Sequence, residues 1–111
     1  MNIPKKLELA GLTIDICNSP TIKEENMIGQ AAYAEQKIYL DFNLAPKDIT
    51  EQAFWHELIH WIFFMMNEEE LRQKEKLIDL MAHFLYQAVK SGKFETKEPY
   101  ETEVQESEVR T

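Results

Sequence analysis

The sequence predicts an α+β fold: a small antiparallel sheet packed on a buried helix and a second long helix. Three observations carry this. Residues 7–17 and 37–42 alternate apolar and polar side chains with period two, the mark of half-buried strands. Residues 48–66 are apolar on almost every side, as in a helix enclosed by a core. Residues 67–91 repeat their apolar side chains at helical spacing and stop at Gly92, a residue suited to ending a helix.

In residues 7–17, Leu12, Ile14 and Ile16 share one side, and Thr13 and Asp15 the other. The stretch reads as one strand, broken by Asn18-Ser19-Pro20. Residues 21–26 are polar and read as a loop. Residues 27–33 make a weaker strand, loosened by Gly29, and Ala34-Glu35-Gln36 a short turn. Residues 37–42 then set Ile38, Leu40 and Phe42 against Tyr39 and Asp41. Residues 27–42 therefore predict a β-hairpin.

A connector containing Pro46 follows. Asp48 and Glu51 have capping-box spacing, with Thr50 a rival N-cap. The first helix presents Phe54, Trp55, Leu58, Ile59, Trp61, Ile62, Phe63 and Phe64. Beyond its first turn its polar residues are Glu57 and two histidines. Asn67 either ends this helix or, with Glu70, caps the next. The second helix runs to about Ser91. Leu71, Leu77, Ile78, Met81, Phe84, Leu85 and Val89 are its expected core positions.

A chain of 111 residues is one domain with a modest core. Its 44% hydrophobic and 29% charged residues are ordinary for a globular protein. A net charge of −8 argues against nucleic acid or an anionic membrane as a default partner. Cys17 is the only cysteine, so no internal disulfide forms. The start, Met1-Asn2-Ile3-Pro4-Lys5-Lys6, lacks a signal peptide's apolar stretch. The longest apolar run, residues 61–66, is too short to span a bilayer. Together these predict a cytoplasmic protein. Residues 95–111 carry six glutamates against one lysine and one arginine, so residues 93–111 read as a flexible acidic tail on a 1–92 domain.

The chemistry lies in His56-Glu57-Leu58-Ile59-His60. Helix positions four apart share a face, so His56 and His60 aim two imidazoles at one point, where they suit a zinc ion. Glu57 sits about 100° further round the helix. There its carboxylate reaches a water on the metal and takes its proton, without itself binding the metal. Catalytic zinc needs a third protein ligand. The second helix offers Glu75, Asp79 and His83 on one stripe, at i, i+4 and i+8. Glu75 is favoured as the ligand, with Asp79 accepting a histidine N–H and so fixing its tautomer. Asp79 itself is the next candidate ligand, and His83 the third.

Two stretches carry a resemblance. Residues 53–60, Ala-Phe-Trp-His-Glu-Leu-Ile-His, and residues 75–87, from Glu75 through Asp79 to Gln87, resemble short phage and prophage proteins related to the ImmA/IrrE-type zincin-like metallopeptidases. The hairpin ending in residues 37–41 is similar to the strand before the active-site helix in that group. The resemblance spans roughly residues 10–92 and implies a minimal zincin-like fold with a gluzincin-type site. That site would hold Zn2+ on His56, His60 and Glu75, with Glu57 catalytic. It also implies that the strand at residues 38–41 borders the cleft and pairs with an extended protein or peptide substrate. The sequence shows no evident second donor for the transition state; Tyr33, Tyr39 and Tyr86 are candidates. The reading is a zinc-dependent endopeptidase. Its alternative is a weakly active or inactive zinc-binding domain serving as a protein-interaction module.

Overall fold

A computed structural model of the chain describes residues 1–19 and 28–92. The expected loop at 21–26 and the acidic tail at 93–111 lie outside the described residues. The elements are α+β in arrangement: β1 (Lys6–Leu9), β2 (Leu12–Asn18), β3 (Gly29–Ala32), β4 (Lys37–Leu40), α1 (Lys47–Met65), α2 (Glu69–Arg72) and α3 (Glu75–Ser91).

The stretch expected as one strand is a hairpin. Ala10 and Gly11 both have positive φ, 52° and 82°, between β1 and β2. Positive φ at both central residues is what a two-residue turn needs to match strand twist. The expected hairpin of β3 and β4 is present, pairing Gly29 with Leu40 and Ala32 with Lys37. The sheet is mixed rather than antiparallel, because β2 pairs with β4 in parallel. Its strand order is β1-β2-β4-β3. β3 lies beyond β4 from β2, and after β3 the chain turns at residues 33–36 and runs back as β4 between β3 and β2. That path makes β4 an interior strand and β3 the edge.

β4 ends at Leu40. Asp41 is 1% exposed and turns its carboxylate to the Asn43 N–H at 3.0 Å. Phe42 is exposed, not on the core face.

α1 lies between two apolar surfaces. Phe54 and Trp61 face the sheet beside Ile14, Ile38 and Leu40. Ile59 and Phe63 face α3 beside Ile78 and Ala82. The Trp61 indole N–H donates to the Lys37 carbonyl at 3.1 Å and pins α1 to β4. This double burial explains a helix with no polar side.

The helix ends differ from the capping readings. Pro46 is the N-cap of α1, and no side chain caps it. Asp48 and Glu51 instead reach α3. Tyr86 donates to Glu51 at 2.7 Å, and Lys90 to Asp48 at 2.9 Å. Asn67 ends α1 in the left-handed conformation, φ 58°. Its N–H bonds the Phe64 carbonyl and the Glu68 N–H that of Phe63, the paired closure of a Schellman motif.

The second helix is split. α2 stops at Arg72, and Lys74, non-helical at φ −89° and ψ 85°, separates it from α3. Leu77, Phe84 and Leu85, expected in the core, are exposed, while Ala82 and Tyr86 are buried. The α3 apolar arc is wider than α1 can cover, so the inner half is set by Ile78, Ala82 and Tyr86. Among the described residues, no helix is long and apolar enough to cross a membrane.

Candidate metal centre

Packing of α1 on α3 brings the first turn of α3 beside residues 56–60. Glu75, first residue of that helix, spans both histidines. One carboxylate oxygen lies 3.0 Å from His56 Nε2 and the other 3.0 Å from His60 Nε2. The break at Lys74 makes this possible, since it starts a new helix direction at Glu75. Ligand atoms from His56, His60 and Glu75 lie within 4.8 Å of one another. These three residues could hold a metal ion.

The donor set, two imidazoles and a carboxylate, is one that zinc accepts. Ligand atoms of a tetrahedral site with bonds of about 2.0–2.1 Å stand about 3.3 Å apart. The two 3.0 Å contacts, one from each Glu75 oxygen, lie close to that spacing, and the set as a whole falls within 4.8 Å. His56 Nδ1 lies 3.3 Å from Asp79 Oδ1. Glu75 thus faces Nε2 of this ring and Asp79 faces Nδ1, so a metal held at Nε2 would leave Nδ1 to Asp79.

Asp79 is therefore positioned to orient His56. His83 is not part of the cluster: it lies further along the same stripe of α3, where its Nδ1 faces Gln52 at 3.3 Å.

Glu57 is 9% exposed and turns toward β3. Burial pushes its carboxyl up to about 7, helped by the nearby Glu75 charge and opposed by His56 and an Ala31 backbone hydrogen bond. Burial also lowers the pKa of His60, against the pull of Glu75, which favours the neutral ring that ligates metal. Gly29 makes room for Glu57. A Cβ there would stand 3.0 Å from Glu57 Cγ and 3.0 Å from Leu40 Cδ2.

Glu57 and Glu75 divide an open cleft. On one side about 490 Å³ is lined by Ile28, Ile49 and Ala53, with Asp79 at its edge. On the other, about 380 Å³ is lined by Gln30, Tyr33, His60 and Arg72. Of the three tyrosines considered, only Tyr33 lies in the cleft. Tyr39 donates to Glu35 and Tyr86 to Glu51, both away from it.

Three features escaped sequence reasoning. Gly29 reads there only as a weak strand position; its closeness to Glu57 depends on the sheet order. Arg72 draws no reading from the sequence; it reaches the cleft through the fold. Ile49, in the first turn of α1, is exposed toward the cleft. The strand along the cleft is also not the one expected. β4 is paired on both sides, and among the described residues β3 is the unpaired edge. No family model, curated protein or solved structure matches the chain.

Proposed function

We propose that this protein is a zinc-dependent metallopeptidase of the zincin type, acting on an extended segment of a protein or peptide. The observation that carries the reading is the meeting of His56, His60 and Glu75 beside Glu57 at the floor of an open cleft. The resemblance of residues 53–60 and 75–87 to ImmA/IrrE-type zincins points the same way, and implies a regulator of a phage or mobile element as the setting.

Zinc, when bound, supplies the charge that polarises a carbonyl and makes water more acidic. His56, His60 and Glu75 hold it, and Asp79 keeps the His56 ring in place. The Glu57 carboxylate accepts the proton of the attacking water and returns it to the departing amide nitrogen. The free edge of β3 offers backbone groups to an extended substrate by strand addition.

The test uses protein purified without chelator. About one equivalent of zinc is expected, with cleavage of an unfolded protein such as casein. Glu57→Gln should abolish cleavage and retain zinc. Less than about a tenth of an equivalent, with no uptake on titration, overturns the reading.

One observation favours the second reading, an interaction module with little or no turnover. Leu77, Leu80 and Phe84 form an exposed apolar row on the outer face of α3, with Phe84 64% exposed. If Glu57→Gln leaves the cellular phenotype intact while His60→Ala destroys it, the module reading stands in place of the enzyme.

A further inference from the structure

The two halves of the cleft differ in chemistry, and β3 runs from one to the other. Gly29 lies in the half walled by Ile28, Ile49 and Ala53; Gln30 and Ala31 lie in the half that holds Arg72 and Tyr33. A chain added to the free edge in antiparallel fashion, the more stable pairing, runs the opposite way. Its amino-terminal residues then pass Arg72, and its carboxyl-terminal residues enter the apolar half.

Among the described residues Arg72 is the only lysine or arginine lining either half. Its guanidinium lies 5.0 Å from the Tyr33 ring centroid and 6.0 Å from that of Phe64, a stacked seat on two rings. Its Nε makes no hydrogen bond. One terminal nitrogen is held by the carboxylate of Glu69, three residues back. That carboxylate is 58% exposed, and an exposed pair of this kind is easily exchanged. Glu69 thus marks where a carboxylate fits. Among the described residues the other half has no lysine or arginine; Glu57 and Glu75 line both halves, but Asp79 lines this one alone and repels an acid there, and exposed Ile49 gains by being covered.

We propose that the substrate segment carries an acidic side chain on the amino-terminal side of the bond that is cut and an apolar one on the carboxyl side. Arg72 holds the first; Ile28, Ile49 and Ala53 receive the second. The inference rests on the peptidase reading.

The test is a binding measurement on the full chain, zinc-loaded and carrying Glu57→Gln so that peptide is kept whole. Two labelled peptides differ only in one residue upstream of an alanine-leucine pair, glutamate in one and lysine in the other. Fluorescence anisotropy at low salt gives their affinities. The glutamate peptide should bind about ten-fold more tightly, one peptide gaining an ion pair and the other meeting like charge. A chain of net charge −8 favours the lysine peptide everywhere else, so this preference has to come from Arg72. Adding Arg72→Glu should reverse the ranking, and Arg72→Gln should remove the glutamate preference without loss of zinc. Glu69→Gln should strengthen it. An unchanged ranking in Arg72→Glu overturns the proposal, as does a zinc-loaded protein that binds neither peptide. A protein that takes up no zinc overturns the peptidase reading itself, and the inference falls with it.

Discussion

Replacing Glu57 by glutamine in metal-free protein isolates what it costs to bury this carboxyl beside the cleft. Its pKa rises from 4.5 to about 7 on folding, chiefly through burial. A raised folded-state value means full stability below the unfolded pKa and loss as pH climbs through the folded one. At 1.36 kcal/mol per pKa unit, ionising Glu57 costs about 3 kcal/mol above pH 7 and nothing near pH 4. Glutamine keeps the shape and stays neutral. Metal-free Glu57→Gln should therefore match the wild type near pH 4 and exceed it by about 3 kcal/mol at pH 8, with the gap opening between pH 4.5 and 7. The assay is urea unfolding of chelator-treated protein across pH 4–8, comparing extrapolated stabilities at equal m. A difference constant to within about 1 kcal/mol over that range would refute the reasoning. Zinc should narrow the gap, because a cation next to the carboxylate favours its charged form.

Other outcomes follow from the same geometry. Gly29→Ala forces a methyl to 3.0 Å from both Glu57 and Leu40, so it should destabilise by about 1–3 kcal/mol and weaken cleavage, checked by melting and by the casein assay. Zinc at a hundred times its dissociation constant should add about 2.7 kcal/mol, which chelator removes and which fades at acid pH as the histidines protonate. A melt unmoved by chelator at pH 7.5 contradicts it. Asp79→Asn should weaken zinc binding by about 10–100-fold, whereas His83→Ala should leave it unchanged; zinc titration against a chromophoric chelator reads both. Tyr86→Phe removes the donor from a carboxylate 1% exposed and should cost about 1–3 kcal/mol by urea unfolding.

Much of the framework was legible because it is written locally. Alternation marked β4 and the later half of β2, and the apolar girth of residues 54–63 foretold a helix walled in on both sides. The HExxH spacing carried the two histidines and Glu57, and the stripe on α3 carried Glu75 and Asp79. What stayed hidden depends on relations between distant segments. Whether β2 and β4 run parallel turns on which side the hairpin inserts, and no residue encodes that alone. Asp48 and Glu51 have capping spacing, yet bonds to Tyr86 and Lys90 on α3 claim them first. The break at Lys74 has no glycine or proline to announce it. Arg72 entered the cleft only because that break ends α2 beside Tyr33.

Two buried glutamates on α1 show which part of the molecule the fold alone does not explain. Glu51 is 1% exposed and, although one of its oxygens makes no hydrogen bond, both lie within reach of a cation. The Tyr86 hydroxyl donates to one oxygen at 2.7 Å, with the Met1 ammonium 3.9 Å away, and the Lys47 ammonium lies 3.8 Å from the other. That carboxylate ties α1 to α3 and has a structural reason to be there. Glu57 sits two turns on, and among the described residues no ammonium or guanidinium lies within ion-pair distance of it. Instead Glu75 adds a like charge nearby, and Gly29 gives up a side chain to make room. A domain selected for stability alone would place glutamine or leucine at position 57. A charged group held at a cost of about 3 kcal/mol, in contact with a cleft and beside three convergent ligands, is the pattern of a site kept for chemistry. If the Glu57→Gln protein proves no more stable than the wild type at pH 8, that contrast disappears, and the metal ligands alone must carry the case for catalysis.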